Sequence, residues 1–262
     1  MGLAAYQAAV LADSPAAWWQ CQDASGSLDD SISGRDGSSV GAAKTYHEPG
    51  PASDCYSIHF PGSASAGFSV PDENLWDSKP KSVEGWVRLD PGVVIGGSGN
   101  PFYRGWMQKG RVPGLEGWNI QVILDPRGGG LPYAYDWYVA SDGGVGNPVA
   151  YTTPLASDRW HHLVGTHSRT GGTTTLELYV DGLLASTATS SYDFPSNGTE
   201  PLGLGYSPNV ADRSWFGWLT QLAFYDHVLG PDRVLAHYLA MADRRGGFHI
   251  GIPFGTAAQG WS

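Results

Sequence analysis

The residues able to do chemistry are few, and their spacing argues against catalysis. Glycoside hydrolysis commonly needs two carboxylates facing one cleft, roughly 5 to 10 Å apart. The glutamates are Glu48, Glu73, Glu84, Glu116, Glu177 and Glu200, and none shares a strand-like segment with a second acid at i+2 or i+4. Glu84 sits in an alternating stretch, SVEGWVRLD, where pairing with Arg88 or a backbone donor is its expected role. No G-x-S-x-G, H-E-x-x-H or C-x-x-C motif occurs. His161 and His162 are adjacent on a strand pattern, so they point to opposite faces and cannot share a metal. Binding chemistry has better material. Tyr103 and Trp106 lie in a Gly/Pro-rich stretch, and Tyr135 and Trp137 on a segment aromatic on both faces. Rings beside polar loops can stack on the C–H faces of sugars, so these four are the candidate carbohydrate-binding residues. The Ser/Gly/Asp-rich stretch DDSISGRDGSSVG offers Asp30 and Asp36 as candidate calcium ligands. It lacks EF-hand spacing, and an Asx-turn loop is the simpler reading.

The elements that must position these residues are strands. Trp160, His162 and Val164 alternate with His161, Leu163 and Gly165; after Gly171-Gly172, Leu176, Leu178 and Val180 alternate with Thr175, Glu177 and Tyr179. Asp181-Gly182 is a two-residue hairpin signal leading to Leu183-Leu184-Ala185. Further strands are expected at 17–22, 56–60, 68–71, 82–88, 118–124, 133–139, 202–205 and from Trp215, with 90–117 irregular between them. Residues 6–11 suggest a single helical turn. Gly230-Pro231-Asp232 opens a helix expected to run to Met241, with Pro at its first position and an acid against its dipole. Residues Trp19, Trp86, Trp160, Leu178, Val180, Leu222 and Phe224 are the expected core.

Taken in order, AVLADSPAAWWQCQDASG, SVEGWVRLD, RWHHLVGTHSRTGGTTTLELYVDGLLAS, LGLG and GWLTQLAFYDHVLGPDRVLAHYLA resemble the LamG-like, concanavalin A-like jelly-roll family. The resemblance implies an all-β fold: a two-sheet antiparallel sandwich with one short C-terminal helix. It assigns Trp19, Trp86 and Trp160 to the core and leaves Tyr103, Trp106, Tyr135 and Trp137 without a family role. It also implies a calcium site, but Gln22, Pro61 and Thr220-Gln221 stand where the family often has acids, which weakens that expectation. No cofactor is otherwise implied.

Composition bounds the partners. The chain has 262 residues, 15% charged, with 37 Gly, 11 Trp and 13 Tyr. Charge that low, against the usual quarter, suits a turn-rich β protein outside a cell. The net charge of −10 argues against nucleic acid and anionic membranes. No apolar run reaches membrane-span length. The first residues show no signal peptide, and an extracellular-looking chain without one resembles a minor tail or surface protein of a tailed bacteriophage. The expected role is therefore a non-catalytic module on a virion or cell surface. Its partner would be a host-surface glycan or, if the sandwich only makes protein contacts, another virion protein. Cys21 and Cys55 are either bridged or, at least as readily, two buried thiols. The expected organisation is a lead segment (1–14), one jelly-roll domain (15–242) and a Gly-rich tail (243–262). The tail's alternation of Phe248, Ile250, Ile252 and Phe254 suits docking on a neighbouring subunit. Asn197-Gly198-Thr199 is a glycosylation sequon that matters only in a eukaryotic secretory host.

Overall fold

The structure is a computed structural model that describes residues 2–62, 66–77, 81–91, 103–110, 117–124, 133–140, 149–152, 155–191, 199–208 and 213–242. In chain order the elements are α1 (Leu3–Ala12), β1 (Ala17–Trp19), β2 (Ser38–Val40), β3 (Thr45–Pro49), β4 (Tyr56–Pro61), β5 (Gly67–Val70), β6 (Lys81–Leu89), β7 (Tyr103–Gly110), β8 (Gly117–Leu124), β9 (Tyr133–Ala140), β10 (Val149–Tyr151), β11 (His161–Thr170), β12 (Thr173–Val180), β13 (Leu183–Ser190), β14 (Leu202–Leu204), β15 (Phe216–Tyr225) and α2 (Pro231–Met241). Among the described residues one antiparallel sheet has eight strands, ordered β13-β12-β11-β6-β15-β4-β3 with β1 beside β15. The other has seven, ordered β10-β9-β8-β7-β14-β5-β2.

Local sequence explains the central meander. Gly171-Gly172 and Asp181-Gly182 all adopt positive φ, the backbone a tight two-residue hairpin needs. Alternation then sends Leu163, Leu176 and Leu178 between the sheets, where they meet Trp106, Trp118 and Trp137 of the facing sheet. A second apolar cluster lies on the other side of the eight-stranded sheet. There Tyr6 and Val10 of α1 and Val234, Tyr238 and Met241 of α2 cover Trp18, Trp86, Val164 and Tyr225. The fold is thus three layers: helices, sheet, sheet.

Several expectations are corrected. The expected single turn at 6–11 is a ten-residue helix. Its N-terminus has no local side-chain cap; Asp54 caps it from a distance, accepting from Leu3 N at 3.1 Å. A local reading cannot see that partner. The stretch expected to be irregular contains β7. Trp160 is half-buried, packed beside the helices, and Val180 is half-buried. Trp86 is buried, but under the helices rather than between the sheets. Alternation along 56–60 puts Tyr56 on the face of Ile58 and Phe60, yet Tyr56 is exposed while the other two are buried. Cys21 and Cys55 are buried free thiols. No described helix is long and apolar enough to cross a membrane. The tail from 243 and the Asn197-Gly198 pair lie outside the described residues.

Candidate functional site

The four aromatic candidates do not form a surface. Trp106, Tyr135 and Trp137 are essentially without exposed area and belong to the inter-sheet core. The reason lies on the facing sheet. A Cβ on Gly85 would come within 2.8 Å of the Trp106 ring, and one on Gly165 within 2.8 Å of the Trp137 ring. Two glycines therefore leave the room that two indoles fill. Trp137 Nε1 also donates to the Thr166 carbonyl at 2.8 Å. Tyr103 is half-buried at the start of β7, with the Arg213 guanidinium 5.0 Å from its ring centre. None of the three buried rings offers a face on which a sugar can stack.

The acidic loop is an ordered turn. Asp30 accepts hydrogen bonds from the backbone N–H groups of Trp18, Ile32, Ser33 and Arg35 and from the Ser33 hydroxyl. Asp36 accepts from Asp30 N at 2.8 Å. Donors of the chain itself thus engage both Asp30 oxygens and Asp36 Oδ1, oxygens that calcium would need. Burial raises the Asp30 carboxyl, but these bonds outweigh it and hold it below the ordinary value. Among the described residues no group of three or more His, Cys, Asp or Glu is placed to hold a metal.

The register brings together a different set, on the outer face of the seven-stranded sheet. Gln108 on β7 lies opposite Asn119 on β8, which lies opposite Tyr138 on β9. One row along, Gly105, Gln121 and Asp136 are aligned in the same way. Residues paired directly across strands share a face, so these side chains point away from the aromatic core. Gly105 leaves space over which the Gln108 amide lies, and Gly203 on β14 continues the first row beneath the segment Tyr206–Pro208. Gln121 Nε2 donates to Asp136 Oδ2 at 3.1 Å. Gln108, Asn119, Gln121 and Asp136 are no more than 2% exposed, yet both amide atoms of Asn119 and Nε2 of Gln108 have no hydrogen-bond partner. A buried polar group left unpaired costs about 1 to 3 kcal/mol, and in a native fold such groups call for an explanation, such as an ordered water or a bound partner. Primary amides beside a carboxylate suit hydroxyl groups, which both donate and accept. The described strands of this face carry one carboxylate, Asp136, not the pair that glycoside hydrolysis commonly uses. The parity of Asn119, Gln121, Asp136 and Tyr138 is legible in the sequence; their alignment with Gln108 is not, because β7 lies in a Gly/Pro-rich stretch that masks its alternation.

Glu84 is the other polar centre, under the helices. It is paired with neither Arg88 nor a backbone donor, as had been expected. It accepts from Tyr6 Oη, Tyr225 Oη and His162 Nε2, each at 2.7 Å, and from His237 Nδ1 at 3.0 Å. Burial raises its carboxyl, but the His237 charge and the histidine hydrogen bonds hold it well below the carboxylate range. Glu84, His162 and His237 have no exposed surface, and the cluster fastens the helices to the sheet.

Two antiparallel sheets packed face to face over an aromatic core define a concanavalin A-like jelly-roll domain. Residues 62–235 match the concanavalin A-like lectin/glucanases superfamily, and the chain belongs to that family. No curated protein matches it in sequence. Among solved structures it is similar to domain 4 of AbnA, a GH43 extracellular arabinanase from Geobacillus stearothermophilus, in complex with arabinotriose. That match has a TM-score of 0.61 at 16% identity and covers 86% of this chain and 98% of that one. It is also similar to the receptor-binding domain of botulinum neurotoxin type G (TM-score 0.60, 13% identity, 86% of this chain and 51% of that one). A third is the binding domain of Paraclostridial Mosquitocidal Protein 1 (TM-score 0.60, 14% identity, 87% and 52%). This chain spans about half the length of the two toxin domains. At these identities the likeness is one of fold.

Proposed function

We propose that this chain is a non-catalytic carbohydrate-binding module, displayed on the outside of a virion or cell, that takes a glycan on the outer face of the seven-stranded sheet. The observation that carries the reading is the set of unpaired, buried amides of Asn119 and Gln108, aligned beside Gln121 and Asp136. Family membership supports it. So does the similar arabinanase domain, whose structure holds arabinotriose. These amides are no more than 2% exposed, so the reading requires that face to open to a sugar. One site of this kind binds weakly, and many copies on a particle raise the avidity without new contacts.

The test is a glycan array that includes arabino-oligosaccharides, followed by Asn119→Leu and Gln108→Leu. The expected result is loss of glycan retention with a melting temperature equal to or above that of the wild type, because each change removes an unpaired buried group. A wild-type protein that retains no glycan on the array, or variants that retain it fully, would end this reading.

A further inference from the structure

His237 of α2 is buried with acceptors at both ring nitrogens. Nδ1 faces the Glu84 oxygens at 3.1 and 3.0 Å, while Nε2 faces Asp13 Oδ2 at 2.7 Å and the Ala9 carbonyl at 3.0 Å. A neutral imidazole has one N–H and one lone pair. A lone pair aimed at a carboxylate or carbonyl oxygen is repulsive, so the imidazolium is the form that satisfies this setting. The neighbours agree. From α2 itself, Arg233 Nε donates to both Asp13 oxygens. From β11, His162 Nε2 meets Glu84, and from α1 and β15 the Tyr6 and Tyr225 hydroxyls donate to it. Arg233, Asp13, His237 and Glu84 thus form a line of alternating charge. Burial, and then the Glu84 charge, push both tyrosines far above their ordinary value, so they remain donors throughout.

The placement of this ring gives it leverage. Ala9 and Asp13 belong to the end of α1 and its cap, His237 to α2, and Glu84 to β6. One side chain therefore joins both helices to the sheet. The inter-sheet core contains no residue of either helix, so the helical layer can loosen without opening it.

We propose that His237 is a pH-sensitive latch: its imidazolium clasps α1 and α2 to the eight-stranded sheet, and loss of its proton loosens both helices together while the sandwich stays folded. Burial lowers the affinity of the ring for its proton, but Glu84 and then Asp13 outweigh this and lift it from 6.5 to about 9. A group raised on docking contributes fully below its undocked value and loses that contribution as pH rises through the docked one. The opening equilibrium of the helical layer should therefore increase by on the order of a few hundred-fold between pH 6 and 10. The inference is independent of the sugar-binding reading, which concerns the other sheet.

The experiment is native-state hydrogen exchange of the full chain from pH 6 to 10, corrected for intrinsic exchange, with nitrogen NMR of His237 at pH 7. The expected results are two protonated ring nitrogens, and opening of α1 and α2 that rises with a midpoint near pH 9 while β6 and β11 stay protected. Asp13→Asn, which removes one of the two negative partners, should move that midpoint down by about one pH unit. A singly protonated ring at pH 7 overturns the proposal. So does helix opening with the same pH dependence as the strands, or an Asp13→Asn effect equal at every pH.

Discussion

The Trp137 indole packs against Gly165 on the facing sheet, so close that a methyl group at that glycine would come within 2.8 Å of the ring. A strand glycine ordinarily weakens a sheet; here it admits the largest side chain of the core. Gly165→Ala should therefore overpack the site and cost about 1 to 3 kcal/mol, although alanine is the smallest possible addition. Trp137→Ala should cost about 3 to 5 kcal/mol by leaving a cavity. Denaturant melts of both variants check the pair.

Half-burial changes the expectation for Trp160. It packs at the margin of the helix–sheet cluster, so Trp160→Ala should cost clearly less than Trp19→Ala, about 1 to 2 kcal/mol against 3 to 5. Equal shifts in the denaturation midpoints would place the two rings in equivalent environments and contradict the structure.

Asp30 organises its loop through hydrogen bonds to backbone donors. Asp30→Ala should destabilise by about 2 to 4 kcal/mol, since several N–H groups lose a charged acceptor at once. Because the carboxyl is held below its ordinary value, its contribution is complete above the unfolded pKa and fades as pH falls through the folded one. A chelator should leave the wild-type melting temperature unchanged, and a drop on chelation would restore the calcium reading for Asp30 and Asp36.

Glu84 behaves with the same sign for a different reason. Its contribution is complete above its unfolded value of 4.5 and is lost only as pH falls through a much lower folded value. Glu84→Gln leaves the His237 imidazolium without its main partner, and removing one member of a buried ion pair costs about 3 to 5 kcal/mol. Thermal melts between pH 3 and 7 should show the wild type holding its midpoint well into the acid range and the variant lower throughout.

The thiols should be inert in the folded chain. Burial, ahead of weaker hydrogen-bond effects, lifts Cys55 to about 11, and burial raises Cys21 well above its ordinary value. Little thiolate exists at pH 8. Iodoacetamide should label neither cysteine until the protein is unfolded; rapid labelling of native protein would contradict their burial.

Local patterns carried the sandwich. Period-two alternation, the Gly171-Gly172 and Asp181-Gly182 turns and the Gly230-Pro231-Asp232 helix start are signals between near neighbours, which a sequence displays directly. They placed Trp19, Leu178, Leu222 and Phe224 inside, as found. What depended on distant partners was hidden. The carboxylate that caps α1 is 51 residues from Leu3, and the glycines that admit Trp106 and Trp137 stand on other strands. Alternation assigns a ring to a face, but only the opposing sheet decides whether that face meets glycine or water. For the same reason an apparent surplus of surface rings became core, and a row of amides became the candidate site. Strand register, set by pairing across the whole sheet, aligns Gln108, Asn119 and Tyr138 from three separate segments, and no spacing within one segment encodes it.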